Sequence, residues 1–306
     1  MKPVKALWKV FSIICCLCAF LAGCAKEPSL KGHNVIPLKN RDAAFVQWVI
    51  DHEADFKKRC RWQEHLVLGQ QAISIAQALK NHNAVTQLSI QLASTQFYQG
   101  NFEQCRQLAE QAQTIARASG NRKGEIQSLY LLSAAERATK KPQAVATARH
   151  ALTLCQQYLP ENGMLRAKVL YNLAAAEMEA EPLKLDTALP RFKEADQLYE
   201  ALGNSHDSLR VKRRMADIYL LKGQYGDAET LLSVIKVSLK SPREQMINAF
   251  QLAKAHYHLG QWRQAKTSID SAYKLAIKLQ AKADIDRIKA LKQLINNHQL
   301  PLNARF

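Results

Sequence analysis

The chain has 306 residues, 47% of them hydrophobic and 23% charged, with only 11 glycines, a composition ordinary for a globular helical protein. Its formal net charge is +17, of which Lys2, Lys5 and Lys9 supply three. That surplus suits acidic proteins, anionic headgroups or the carboxylates of a cell-wall polymer, and it also serves solubility. The first element in chain order is an uncharged apolar run from Val10 to Ala22 behind those three lysines. A spanning helix needs about 20 apolar residues, so this run is too short to cross a bilayer. A positive flank with a short apolar core is the pattern of a signal peptide, and residues 1–23 are set aside from the fold.

The run ends in Leu21-Ala22-Gly23-Cys24, which resembles the bacterial lipobox. The resemblance implies cleavage before Cys24 and acylation of its sulfur and new amine, giving diacylglycerol and N-acyl chains as the anchor and no other cofactor. Two or more chains anchor stably where one does not, at about 0.8 kcal/mol per buried CH₂. The alternative is an ordinary cleaved signal peptide with an incidental cysteine. Ala25 follows where an inner-membrane retention signal would, by the habit of these lipoproteins, show Asp. The address expected is therefore the outer membrane, facing the periplasm, which argues against a nucleic-acid partner. Residues 24–40, with Pro28, Gly32 and Pro37, read as a tether reaching roughly 50 Å when extended. Cys60, Cys105 and Cys155 are the remaining cysteines. They show no metal-ligand spacing; one disulfide is conceivable, and buried free thiols fit better.

From Arg41 onward the pattern is helical throughout. Asn81, Asn121, Asn162 and Asn204 recur at intervals of 40, 41 and 42, each at the tail of a helical stretch, and a period of that size signals a stacked repeat array. Leu92-Ala93, Phe97, Gly100, Phe102, Cys105 and Ala112 describe two helices around a tight turn, the second with small residues inside. The pattern returns as Met215-Ala216, Tyr219, Gly223, Tyr225, Ala228 and Ile235, and as Leu252-Ala253, Tyr257, Gly260, Trp262, Ala265 and Ala272. Weaker copies run from Leu131-Leu132 to Ala151 and from Leu173-Ala174 to Ala195, and a degenerate first unit covers Arg41 to Lys80. These units resemble tetratricopeptide repeats over about residues 41–281. The resemblance implies an all-α, right-handed α-solenoid of antiparallel helix pairs. Ile285, Ile288, Leu291 and Leu294 predict a C-terminal capping helix within residues 282–306. Because the period exceeds the usual 34, helices or connections must be extended.

Tetratricopeptide arrays hold extended or helical peptides along the groove lined by the first helix of each pair. Carrying that face over nominates Gln91, Ser94 and Tyr98, then Arg210, Arg213, Arg214 and Asp217, then Gln251, Lys254, Tyr257 and His258. Arg210, Arg213, Arg214 and Asp217 stand at i, i+3, i+4 and i+7, while Val211, Met215 and Ile218 point to the core. Such arginines can pair bidentately with carboxylates of an acidic segment or chain terminus; an ordinary solvated helix face is the plainer reading. Of the clamp known from chaperone-binding members, only Asn172 matches a position.

Lys57-Lys58-Arg59 with Arg61 and Trp62 form a basic–aromatic cluster suited to lipid headgroups or simply to an exposed helix end. His256 and His258 diverge by about 200° on a helix and do not share a metal. No G-x-S-x-G, H-E-x-x-H or phosphate-binding loop is present, and the sequence points away from an enzyme. The expected function is an envelope scaffold or adaptor holding a peptide or helix of another envelope protein, as in assembly, secretion or pilus biogenesis. The alternative is a structural lipoprotein whose basic surface meets peptidoglycan.

Overall fold

The structure is a computed structural model, and it describes residues 42–298. The signal peptide, Cys24 and the tether lie outside the described residues. The chain divides into two compact units between Lys184 and Leu185. In unit 1 the helices are α1 (Ala43–Asp51), α2 (Glu53–Lys58), α3 (Trp62–Ala78), α4 (His82–Tyr98), α5 (Phe102–Ala118), α6 (Arg122–Ala138), α7 (Ala144–Tyr158) and α8 (Gly163–Glu179). Unit 2 holds α9 (Leu185–Ala201), α10 (Ser205–Leu221), α11 (Tyr225–Lys236), α12 (Pro242–His258), α13 (Trp262–Lys278) and α14 (Lys282–Asn296). Among the described residues every regular element is a helix, packed against its chain neighbour within each unit. Alternate helices also touch: α1, α4, α6 and α8 in sequence in unit 1, and α10, α12 and α14 in unit 2.

The long period has a simple cause. Helices α3 to α6 have 17 residues each and are joined by turns of three, so two helices and two turns consume 40 residues. The recurring asparagines do not close helices; they open them. Asn81, Asn121, Asn162 and Asn204 are N-caps whose side chains accept from the backbone N–H of Ala84, Gly124, Leu165 and Asp207 at 2.9–3.1 Å. Before three of them a residue of positive φ (Lys80, Gly120 or Gly203) ends the preceding helix. The cap asparagine's own N–H then donates back to Ala76, Ala116 or Tyr199, the long bond of a Schellman turn. The same turn joins the two helices of a hairpin at Gly100 (φ 82°) and Gly260 (φ 69°), where the left-handed conformation favours glycine. In the copy that lacks this glycine, Lys140 takes the position at φ 56°.

The second helices α5, α7 and α13 are thin on their inner sides. Cys105, Ala109, Ala112 and Ala116 on α5, Ala148, Ala151 and Cys155 on α7, and Ala265, Ala272 and Ala276 on α13 are all fully buried. Small residues there let backbones approach until larger chains opposite fill the space. At the α3–α4 crossing Gly69 does the same, since a Cβ would lie 2.5 Å from Leu92 Cδ2. Cys105 and Cys155 are free thiols in this seam, as expected, and burial pushes the Cys105 thiol up to about 12. Cys60 departs from the expectation: it is disulfide-bonded.

The first unit begins with a broken helix, α1 and α2, packed on α3. Phe45, Val49 and Phe56 are buried, and Trp48 lies edge-on to Phe56. Pro190, placed within or at the start of a helix, lies inside α9. In α14, Ile288 is buried as predicted, but Ile295 rather than Leu294 completes the seam, leaving Leu294 38% exposed. The helix that ends the described chain thus covers the α12–α13 core with one face.

Candidate functional site

Within each unit a first helix packs against a helix of its own hairpin and against an adjacent first helix, so its residues divide three ways: into the hairpin, toward the adjacent first helix, or onto the open face. The eleven nominated residues fall into all three groups. Ten positions after the cap stand Gln91, Leu131, Asn172, Arg214 and Gln251, all buried. Three of them reach back to the preceding first helix. The Gln91 amide donates to the Ile50 carbonyl at 2.9 Å, satisfying a group near the end of α1. Asn172 donates to the Tyr130 carbonyl at 3.3 Å and to Ser133 Oγ, and Gln251 donates to Asp217 Oδ1. These residues staple repeat to repeat, which corrects their reading as open groove positions and removes Asn172 as a clamp residue.

Tyr257 is a second correction. It is buried inside its hairpin, edge-on to Trp262 and His258, in the core shared with Ala265 and Ile288. His258 is half-buried and stacks on Tyr225 with centroids 4.1 Å apart; burial, then Lys254, holds its imidazole below the ordinary range. His256 is a buried packing residue, as expected, 3.3 Å from Ser268 Oγ and 3.8 Å from Glu229.

In unit 1 the nominated Ser94 and Tyr98 are half-buried and occupied. Lys57 donates to Ser94 Oγ at 2.9 Å, lies 5.4 Å from the Tyr98 ring centroid, and pairs with Glu53. Tyr98 also stacks on Trp62 at 6.0 Å. Of the other basic residues in the cluster, Arg59 pairs with Asp55 and Arg61 with Glu64. A headgroup site needs net charge, and these pairs take most of it away. Beneath lies His65, fully buried, its Nδ1 2.8 Å from Thr95 Oγ1 and its ring stacked on Phe56. Burial lowers its pKa to about 4.

Unit 2 has a different face. Arg210 and Arg213 are partly exposed, pairing with Asp207 at 3.0 Å and Glu244 at 3.7 Å. Arg214, only 5% exposed, turns inward toward Asp217, whose carboxyl burial pushes above the usual range against the pull of Arg214 and Arg213. Val211, Met215 and Ile218 are buried on the opposite side, as the spacing predicts. Lys254 lies next on α12, with Nζ 4.9 Å from the centroid of the half-buried Phe250 ring. From α14, Arg287 lies 5.5 Å from the same centroid and 3.7 Å from Asp284, which Arg243 holds at 2.7 Å. Phe250 and Arg287 were not nominated. Phe250 stands one turn before Lys254 and was within reach of helical spacing; nothing in the sequence joins Arg287 to it.

Among the described residues no group of three or more His, Cys, Asp or Glu is placed to hold a metal, and no helix is long and apolar enough to cross a membrane. No family model matches the chain, and no curated protein matches it in sequence. Solved structures do match. BtubC from P. vanneervenii superposes with TM-score 0.62 at 16% identity, over 72% of this chain and 92% of that one. A signal transduction ATPase with numerous domains and a tetratricopeptide repeat sensor, from Pyrococcus horikoshii, gives 0.65 at 14% identity; the match covers 85% of this chain and 38% of that protein. The Rap conjugation gene regulator of plasmid pLS20, solved with the Phr* peptide, gives 0.52 at 12% identity over 82% and 79%. At such identities the likeness speaks for the fold alone, and that fold is the helical array of tetratricopeptide-repeat proteins.

Proposed function

We propose that this chain is a scaffold that holds a peptide or helix of another protein on the first-helix face of unit 2, and that acylation of Cys24 ties it to the outer membrane, facing the periplasm. The observation that carries the first part is the partly exposed row Arg210, Arg213, Lys254 and Arg287 beside half-buried Phe250. Cations flanking an apolar ring suit an amphipathic segment with acidic residues, since guanidinium–carboxylate pairs give direction and the ring gives contact area. A neighbour in fold that was solved with a peptide bound lends support, as does the use of such arrays as surfaces rather than catalysts. The lipid anchor rests on Leu21-Ala22-Gly23-Cys24.

Crosslinking the native protein in cells, followed by affinity capture and mass spectrometry, tests the scaffold reading. Capture of one envelope complex, lost in Arg210→Glu/Arg213→Glu, supports it. Arg214 is unsuitable for this test because its burial makes charge reversal a folding lesion. Capture of only wall fragments, released by salt, favours the second reading, in which the basic surface meets peptidoglycan carboxylates. Intact mass of the mature N-terminus tests the anchor: a mass without acyl chains on Cys24 refutes it.

A further inference from the structure

From His65 to Phe102 the only Asp, Glu, Lys or Arg is Lys80, in a chain of which 23% is charged. The fold lays that neutral stretch out on the second-helix side of unit 1. Along α3, Gln63, Val67, Gln70, Ser74 and Gln77 stand at i, i+4, i+7, i+11 and i+14, one stripe of the helix, and all five are exposed. A solvated stripe ordinarily carries charge, as α13 does with exposed Arg263, Lys266, Lys274 and Lys278. Beside the α3 stripe lies a groove of about 640 Å³ between α3 and α5, with Leu92 of α4 at its base. Among the described residues none of its lining side chains is charged; they are leucine, valine and amide, Gln71 and Gln96 among the amides. Gln99, which borders the groove, has a buried Oε1 with no hydrogen-bond partner among the described residues. A buried acceptor left open calls for a donor.

We propose that this surface pairs with the same surface of a second copy of the chain, α3 of each molecule seated in the groove of the other about a two-fold axis. A two-fold contact brings a patch against itself, so the patch must complement its own copy. A patch of one charge repels its copy, whereas an amide both donates and accepts and so pairs with another amide. The formal charge of +17 opposes the approach of two copies, and the opposition is least where both present neutral helices. Because ridge and groove share one helix, each copy inserts and receives at once. The neutral stripe also runs past the groove to Ser74 and Gln77, as a helix lying alongside requires and a small occupant of the cavity does not. One helix of 17 residues, about 25 Å long, covers less than the roughly 800 Å² per partner of a standard interface, so the pairing is weak and reversible. The inference concerns unit 1 alone and stands apart from the unit 2 partner face.

Sedimentation equilibrium of the full chain, from about 1 to 300 µM, tests the pairing. Native protein is expected to dimerise with a dissociation constant of roughly 10–100 µM, as a contact of this size gives. Raising salt from about 50 to 500 mM is expected to tighten the dimer, because it screens the repulsion of two basic bodies and finds no ion pair to weaken. Gln70, at mid-stripe, lies nearest the axis and meets its own copy. Gln70→Lys and Gln70→Glu, each shown folded by circular dichroism, are therefore expected to lose at least about tenfold in self-association, and a mixture of the two to recover it. A native chain that stays monomeric throughout the range overturns the proposal and leaves the groove to some other ligand. So does a dimer that salt weakens, that Gln70→Lys leaves untouched, or whose two charged variants fail to pair with each other.

Discussion

Ten residues after the cap, unit 1 places Gln91, Leu131 and Asn172, and unit 2 places Arg214 and Gln251. Six residues after it, unit 1 has Gln87, Gln127 and Lys168 where unit 2 has Arg210 and Ile247. Both units share the positive-φ glycine turn, at Gly100 and Gly260, and fully buried small residues in the seam, such as Ala112 and Ala272. What differs is the use made of the face. In unit 1 amides and hydroxyls close upon neighbouring backbone, as Asn172 does on Tyr130 and Ser133. In unit 2 cations crowd around a few carboxylates and one ring. A neutral polar side chain satisfied by its neighbour fixes two helices together and is then spent; a crowded charge keeps a preference for something outside. Repeat architecture thus sets where a residue can stand, and the side chain decides whether that place is structural or available.

The largest effect expected from this contrast is on binding. Arg210→Glu/Arg213→Glu should weaken capture of an acidic partner by about 100-fold or more, two charge-assisted contacts being lost and replaced by repulsion. Introducing acids at the same register of unit 1, Gln87→Glu with Gln127→Glu, should leave affinity unchanged in the same titration.

Next comes acid stability, in which the units part. His65 has a folded pKa near 4 against an ordinary 6.5, so it favours the fold above 6.5, and that contribution drains away as pH falls toward 4. Unit 1 should lose on the order of 2–3 kcal/mol across that window, and His65→Gln should flatten the loss in acid unfolding followed by hydrogen exchange. Lys254 is likewise depressed, from 10.5 to about 8, so unit 2 should gain stability as pH rises between those values. A shared acid limb in both units would break the comparison.

Where the units agree, they should respond alike. Ala112→Leu in unit 1 and Ala272→Leu in unit 2 overfill fully buried positions, and each should cost about 1–3 kcal/mol in denaturant unfolding. The smallest change is a gain. Lys80→Gly and Gln280→Gly relieve left-handed residues at φ 54° and 51°, raising stability by up to about 1 kcal/mol each.

The contrast also explains what could be read without coordinates. Turn glycines, small residues such as Cys105 and the spacing of the asparagines are local signals, and they located the hairpins because local chemistry closes each turn. The asparagines were nonetheless assigned to helix ends instead of beginnings, since a Schellman turn and an N-cap occupy adjacent residues. Helical spacing put Arg210 and Arg213 on the open face and Val211 in the core correctly. It failed for Gln91, Arg214, Gln251 and Tyr257, because a helix flanked on two sides has two buried directions and spacing alone distinguishes only one face from its opposite. Arg287 was invisible for another reason: its meeting with Phe250 joins residues on different helices, and only the packing of α14 on α12 brings it about.

The most direct test of the account puts a photo-crosslinking amino acid at the same register in each unit, at Arg210 and at Gln87, in the lipidated protein in living cells. The account predicts a discrete protein adduct from position 210 and none from position 87. Adducts of equal yield from both, or from position 87 alone, would contradict it.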